Sequence, residues 1–448
     1  MWEYPTWDVP RLGGGMAIGL IATIHVLVAH FSVGAGIILA VGETVARKKS
    51  DETILNFLRI FSKWLLLIGF VFGAVSGVAI WFSISLASTR ATSMLIHTFV
   101  WFWAIEWVFF LVEIVSGYAY YASWGRISPR QHTALAWIYA IAAWMSLFII
   151  SGILSFMLSP GDWIQTRDVW DGFINPTFLS TVALRTLSSL GIASLAAMAI
   201  VNLYPKFSRE ERTRVINFNA TFLWPLVLML PFAYWYFQGI PPFAKGLIQG
   251  GAAAMTLFFL FGIAASTLVG LYAYFGLIRR KRYINLETSL LLLSIAIIAT
   301  VSMEFVREGV RKPYVIYNLL YSNGLTKEEV PRANNEGVLA NAPWKRIGFD
   351  ENTADPEALG EKMYEIQCSS CHVVNGFNDV VLLIDGWSED LLWYNLERLH
   401  ELKPFMPPLV GTDKERKALA AYLMELQRER YGNETKKEVD LDGSHPQS

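Results

Sequence analysis

Charge is scarce in this chain. Of its 448 residues only 17% are Asp, Glu, Lys or Arg, and 37 basic against 38 acidic side chains leave a net charge of −1. A balance so near zero supplies no bulk field for a polyanion, so composition gives no case for nucleic-acid binding. Cysteine is scarcer still, with two residues. Apolar residues dominate instead: 54% are hydrophobic and 17 are Trp, which is too apolar and aromatic for an ordinary soluble enzyme. The main solvent of such a chain is a bilayer.

Eight stretches reach the roughly 20 apolar residues that a spanning helix needs. They are Leu12–Ala46, Leu55–Ala87, Thr92–Trp124, Thr133–Ser159, Thr177–Leu203, Val215–Phe237, Leu247–Ile278 and Ile284–Val306. The first carries His25, His30 and Glu43 in an apolar run too long for a signal peptide, and is read as retained. Alternate loops are basic: Arg47, Lys48 and Lys49; Arg126 and Arg130; Lys206, Arg209, Arg212 and Arg214; and Arg279–Arg282. The intervening loops are acidic or nearly uncharged. The positive-inside rule therefore puts the basic loops in the cytoplasm, with the N-terminus and everything after helix eight outside a cytoplasmic (inner) membrane.

Residues 1–310 thus read as a membrane domain. The polar stretch 311–355, rich in Asn, Pro and Gly, reads as an extracytoplasmic tether or a cover over it. Residues 356–432 form a small separate domain bounded by two helical patterns, and 433–448 a charged tail expected to be disordered.

Both cysteines lie in "MYEIQCSSCHVVNG", spaced Cys-x-x-Cys with a histidine next. This is the attachment pattern for c-type haem: Cys368 and Cys371 bond to the vinyl groups and His372 is presented to the iron. A redox dithiol or a disulfide has no use for that histidine, and the βαβ pattern of a thioredoxin-like site is missing. Downstream, "KPFMPPL" sets Met406 in a Pro-stiffened loop, suited to hold a thioether on the sixth iron position and raise its potential. The segment resembles a class I cytochrome c, whose haem is attached outside the cytoplasmic membrane.

A domain that passes single electrons needs a source or sink, and intramembrane ionisable residues are where to look, since each is costly unless paired or ligating. His25 on helix one and Glu106 on helix three fall at similar depth in the outer half, where the pair can bind one iron from both sides. Glu113 follows Glu106 by seven residues, on the same helical face and two turns deeper, which suggests a proton path. The plainer alternative is that a hydroxyl or an indole satisfies each carboxylate.

Four segments together resemble subunit I of the cytochrome bd quinol oxidases: "IHVLVAHFSVGAGIILAVGETVARK", "AIEWVFFLVE", "WGRISPRQHTALAWIYAIAAWMSLFIISG" and "REGVRKPYVIY". The similarity covers roughly residues 10–205 and 284–317. It implies that His25, with Glu106 across from it, serves the high-spin haem where oxygen reacts, that Glu308 serves a second haem, and that Arg311 neutralises a propionate. It also implies two non-covalent haems of b or b/d type beside the one covalent haem c, and a partner such as a bd-type subunit II.

The departures from the family are specific. Arg185 stands near the helix-five histidine that ligates a low-spin haem, the quinol loop is cut to "GIPPFAKG", and the ninth helix gives way to the cytochrome c domain. Met255 either matches the family's methionine ligand or simply packs. His30, about 140° round from His25, can hold a further low-spin haem; His97 can ligate or hydrogen-bond one; His132 reads as solvated; and His400 and His445 read as surface residues. The expected protein is an all-α polytopic bundle with an extracytoplasmic cytochrome c domain. It exchanges electrons with periplasmic cytochrome c and reduces O2 or another small molecule; the alternative is a non-catalytic electron conduit in a larger respiratory complex.

Overall fold

The computed structural model describes residues 6–342, 349–350 and 354–442, with side chains to Tyr431. Among the described residues, eight helices are long and apolar enough to cross a membrane: α1 (Gly14–Lys48), α2 (Glu52–Ala87), α3 (Val100–Ala122), α4 (Pro129–Phe156), α5 (Phe178–Asn202), α6 (Arg209–Gly239), α7 (Ala253–Arg279) and α8 (Leu286–Gly309). All eight expected spans are present.

Their starts are written in the sequence. Ser128 and Ser208 each close a capping box, with Gln131 and Glu211, while Asp51 and Asn285 cap α2 and α8. Two spans are irregular inside. Helix α2 passes through a π-helical stretch at Leu66–Phe72, and α6 through a 3₁₀ stretch at Thr221–Leu228 containing Pro225, which has no N–H to give the ladder.

The chain divides into two compact units. One, Ile21–Trp81 with Met94–Arg311, holds most of the spanning helices. Helix α5 is buried along most of its length, and α1 meets it backbone to backbone: a Cβ on Gly34 would lie 2.0 Å from the Ser189 carbonyl oxygen. Helices α2, α3 and α7 turn large apolar side chains outward, among them Val78, Trp101 and Leu260, as expected of a surface that meets lipid or another membrane chain.

The other unit comprises Met1–Leu20, Phe82–Ser93 and Lys312–Ser448. A short hairpin, β1 (Tyr314–Ile316) with β2 (Leu320–Tyr321), precedes α9 (Pro356–Gln367) and the last helix, α10 (Asp413–Asp442). Helices α9 and α10 cross where Gly360 lets α9 onto the Ala418 carbonyl oxygen, 2.3 Å from where a Cβ would stand. Leu359, Met363, Leu419 and Leu423 form the core there, and Leu325, Val338 and Leu339 share it. The stretch read as linker is therefore packed in part. The buried Glu415 fixes it, accepting from Val338 N at 2.9 Å and Leu339 N at 3.2 Å. Helix α10 runs to Asp442, into the stretch read as tail, where Glu and Lys favour continued helix; residues 443–448 lie outside the described residues.

Arg90 grips Glu329 with two hydrogen bonds, at 2.5 and 2.6 Å, and donates a third to the Gly324 carbonyl at 2.6 Å. Burial pushes the Glu329 carboxyl up, but the Arg90 and Thr326 hydrogen bonds outweigh it and hold the group below its ordinary value. A carboxyl lowered on folding stabilises above its unfolded pKa and loses that contribution as pH falls through the folded one. Melting of this unit should therefore drop as pH falls below about 4, the unfolded glutamate value, and Arg90→Met should flatten that part of the profile; a scanning melt from pH 7 to 3 checks both.

Candidate functional site

The cysteine motif forms a turn off the end of α9. Cys368 N donates to the Tyr364 carbonyl at 2.8 Å, His372 N to the Cys368 carbonyl at 2.8 Å, and the Tyr364 hydroxyl to the His372 carbonyl at 2.8 Å. The N-terminal segment of the same unit lies against this turn: Gly15 N donates to Ser370 O, Phe377 N to Arg11 O, and Ser369 Oγ to Asp8 Oδ1 at 3.1 Å. Both thiols are free. Burial, with Cys371 adding to it, pushes the Cys368 thiol up to about 12. A dithiol redox site needs the reverse, a stabilised thiolate.

His372 Nδ1 lies 2.9 Å from the Asn378 carbonyl oxygen, so with the proton on Nδ1 the ring donates there and Nε2 keeps a lone pair. Burial lowers the ring pKa, against that hydrogen bond and the charge of Asp379, which favours the neutral ligand form. Between the motif and Met406 the chain leaves Phe377, Leu382, Leu383, Leu391, Leu402 and Phe405 exposed. Met406 is half-buried in the loop, its N–H on the Lys403 carbonyl at 2.9 Å.

In the membrane unit, His25 Nδ1 stands 3.0 Å from Ser76 Oγ on α2. Ser76 spends its own proton on the Phe72 carbonyl at 2.7 Å, so its oxygen accepts from His25 Nδ1–H and His25 Nε2 is left with a lone pair. Glu106 accepts from Ser146 Oγ at 2.6 Å, and Glu113 from the Tyr139 hydroxyl at 3.1 Å. Each carboxylate thus does have its hydroxyl, as the plainer alternative required. No hydrogen bond joins His25 to Glu106. Their polar partners lie on different helices, and of the two it is the His25 ring nitrogen that is of a type that ligates haem iron.

Glu308 is ion-paired with Arg311, whose Nη1 also lies 3.1 Å from Met157 Sδ. Arg185 does not stand alone near the missing histidine: it reaches Glu304 Oε1 at 3.3 Å, and Arg307 holds Glu304 Oε2 at 2.7 Å. Met255 packs in an apolar cluster with its sulfur against Gly309. His30 is 3% exposed, and neither ring nitrogen has a hydrogen-bond partner. His97 and His400 are exposed, and His445 lies outside the described residues. The expectation of a solvated His132 is wrong. The residue is buried, 2.8 Å from Glu43 Oε1, because α4 turns its first helical face toward α1.

Residues 16–237 match the family model for cytochrome bd terminal oxidase subunit I. The chain is similar in structure to the bd oxidase from Geobacillus thermodenitrificans, with a TM-score of 0.60 at 14% identity, covering 68% of this chain and 89% of that one. At that identity the likeness is one of fold. A comparison with curated proteins gives no match.

Sequence reading passed over Glu304 and Arg307. Their signal was available as charges at 304, 307, 308 and 311, spaced three and four apart at the end of an apolar helix. Glu304→Gln leaves the buried Arg185 and the half-buried Arg307 without the carboxylate they share. It should destabilise the membrane unit by about 3–5 kcal/mol, read as a lowered melting temperature in detergent, whereas Glu287→Gln at the far end of α8 should not.

Proposed function

We propose that this chain is a bd-oxidase-like electron-transfer subunit in which a covalently bound haem c replaces quinol as the way in for electrons. The observation that carries the reading is the geometry at His372: a turn that presents two free thiols and a ring with Nδ1 bonded to a carbonyl, leaving Nε2 for iron. Met406 is assigned the sixth position. The basic loops are cytoplasmic, and the haem c domain faces the opposite, periplasmic side, where it exchanges electrons with a soluble cytochrome c or another redox protein.

Two haems of b or b/d type are assigned to the membrane unit. His25 and Glu106 flank the high-spin one, while Glu308 serves the other with Arg311 at a propionate. When bound, these groups supply one-electron transfer and a site where O2 or another small molecule is reduced. The chain's own residues orient and protonate: Ser76 fixes the His25 tautomer, Ser146 aims Glu106, and Glu113 relays protons from the cytoplasmic side. A further low-spin haem at the place of the family's helix-five ligand is disfavoured, because Arg185 and Glu304 occupy each other and Met255 is packed; His30 is the one candidate ligand left for it. The outward apolar faces of α2, α3 and α7 leave room for a bd-type subunit II or another membrane subunit, and for lipid. The alternative, a conduit within a larger complex, needs no proton delivery.

Covalent haem should survive denaturation, so the full-length band should stain for haem peroxidase activity. Cys368→Ala with Cys371→Ala should abolish the stain, and equal staining would refute the assignment. Reduced cytochrome c, not a quinol, should then be the efficient donor. In the membrane, Glu106→Gln should change the haem absorption spectrum. Glu113→Gln should keep that spectrum while slowing turnover by roughly 10²–10⁴-fold; full turnover with an unchanged pH profile would favour the conduit.

A further inference from the structure

Helices α3 and α4 run antiparallel in a fixed register. Glu106 meets Ser146, Glu113 meets Tyr139, and the Tyr120 carbonyl meets His132, so each step of seven residues along α3 is matched by seven back along α4. Seven residues are two turns, so all three rungs share one face, about 10 Å apart. Helix α1 lines the same seam: the Ser32 carbonyl accepts from Tyr139 at 3.3 Å, and eleven residues on, three turns away, stands Glu43.

Glu43 is fully buried. Its carboxylate is held by Arg47 Nε at 2.6 Å, by Thr133 Oγ1 at 3.1 Å, and by His132 Nδ1 at 2.8 and 2.9 Å to its two oxygens. His132 Nε2 faces the Tyr120 carbonyl at 3.1 Å. Both ring nitrogens therefore face acceptors, an arrangement in which the ring can take a proton at one nitrogen and release one at the other. The Tyr120 hydroxyl, 1% exposed, lies beside the Glu43 carboxylate. Tyr120 sits two turns from Glu113 on the same face. Arg47 and Thr133 are partly exposed at the basic-loop end, which gives the cluster contact with water.

We propose that Glu43 and His132 form the proton-loading site at the cytoplasmic mouth of this seam and pass protons by way of Tyr120 toward Glu113. The inference rests on the proton relay assigned above to Glu113, and names where its protons enter. Each proton taken from the cytoplasm by the pair leaves it inward and is consumed where the small molecule is reduced, the electrons arriving through haem c. The pair returns to its starting state, and no residue is oxidised.

The test uses the full chain with its haems in liposomes, reduced cytochrome c as donor, and pH dyes on each side. Glu43→Gln and His132→Asn should keep the haem spectra and the rate of haem c reduction, yet lower kcat about 10²-fold and shift its pH profile. Tyr120→Phe, which removes only the hydroxyl, should lower kcat as well and carries the test if the other two fail to fold. Variants that melt earlier but keep the wild-type kcat and pH profile show the cluster to be a structural tie and overturn the proposal. If the wild-type protein turns nothing over, the catalytic reading falls by itself. The proposal is then decided by dithionite reduction of the haems: proton uptake from the basic-loop side, lost in Glu43→Gln and His132→Asn, supports it, and uptake unaltered in both overturns it.

Discussion

The cost of a polar group in hydrocarbon organises the membrane unit. A carboxylate that would be unremarkable in water must, inside a bundle of apolar helices, find a donor, an iron or a proton. Glu43, Glu106, Glu113 and Glu304 each solve this locally, and the solutions fix which helices neighbour which: α3 on α4 through Glu106 and Glu113, α1 on α4 through Glu43, α5 on α8 through Arg185 and Glu304. Apolar packing alone discriminates weakly among spanning helices, because lipid is as good a neighbour as leucine. The few polar bonds supply the selectivity.

The eight spans and their order could be read from hydropathy and capping residues, since both are local signals. His25, Glu106 and Glu113 stood out for a related reason, as rare ionisable groups in apolar runs. What could not be read was pairing. Nothing in the surroundings of His132 says that it turns inward to Glu43, because its flanking residues, Arg130 and Gln131, are those of an exposed helix start. Likewise Ser76, Tyr139 and Ser146 acquire meaning only once α2 and α4 are placed beside the residues they bond. Leu325, Val338 and Leu339 were lost in a polar stretch whose Gly and Asn residues dominate the pattern, though these three close the core around α9 and α10.

The two candidate redox regions are built by different means. At His372 the ring is aimed by a tight local turn, with every orienting bond inside the one unit: the Cys368 carbonyl, the Asn378 carbonyl and the Tyr364 hydroxyl. At His25 and Glu106 the orienting groups come from two further helices, so the site exists only when the bundle is assembled. The first can form as soon as its segment is made; the second waits for the whole membrane unit.

The matched seven-residue steps of α3 and α4 also constrain how the bundle can move. If α3 slid or turned against α4 by a single residue, all three rungs would separate together, each leaving a buried polar group without its partner. Piston-like or rotary displacement of this pair is therefore closed off as a gate. If the seam conducts protons as proposed, it opens and shuts by the movement of individual side chains such as Tyr120 and Tyr139 while the two helices keep their register.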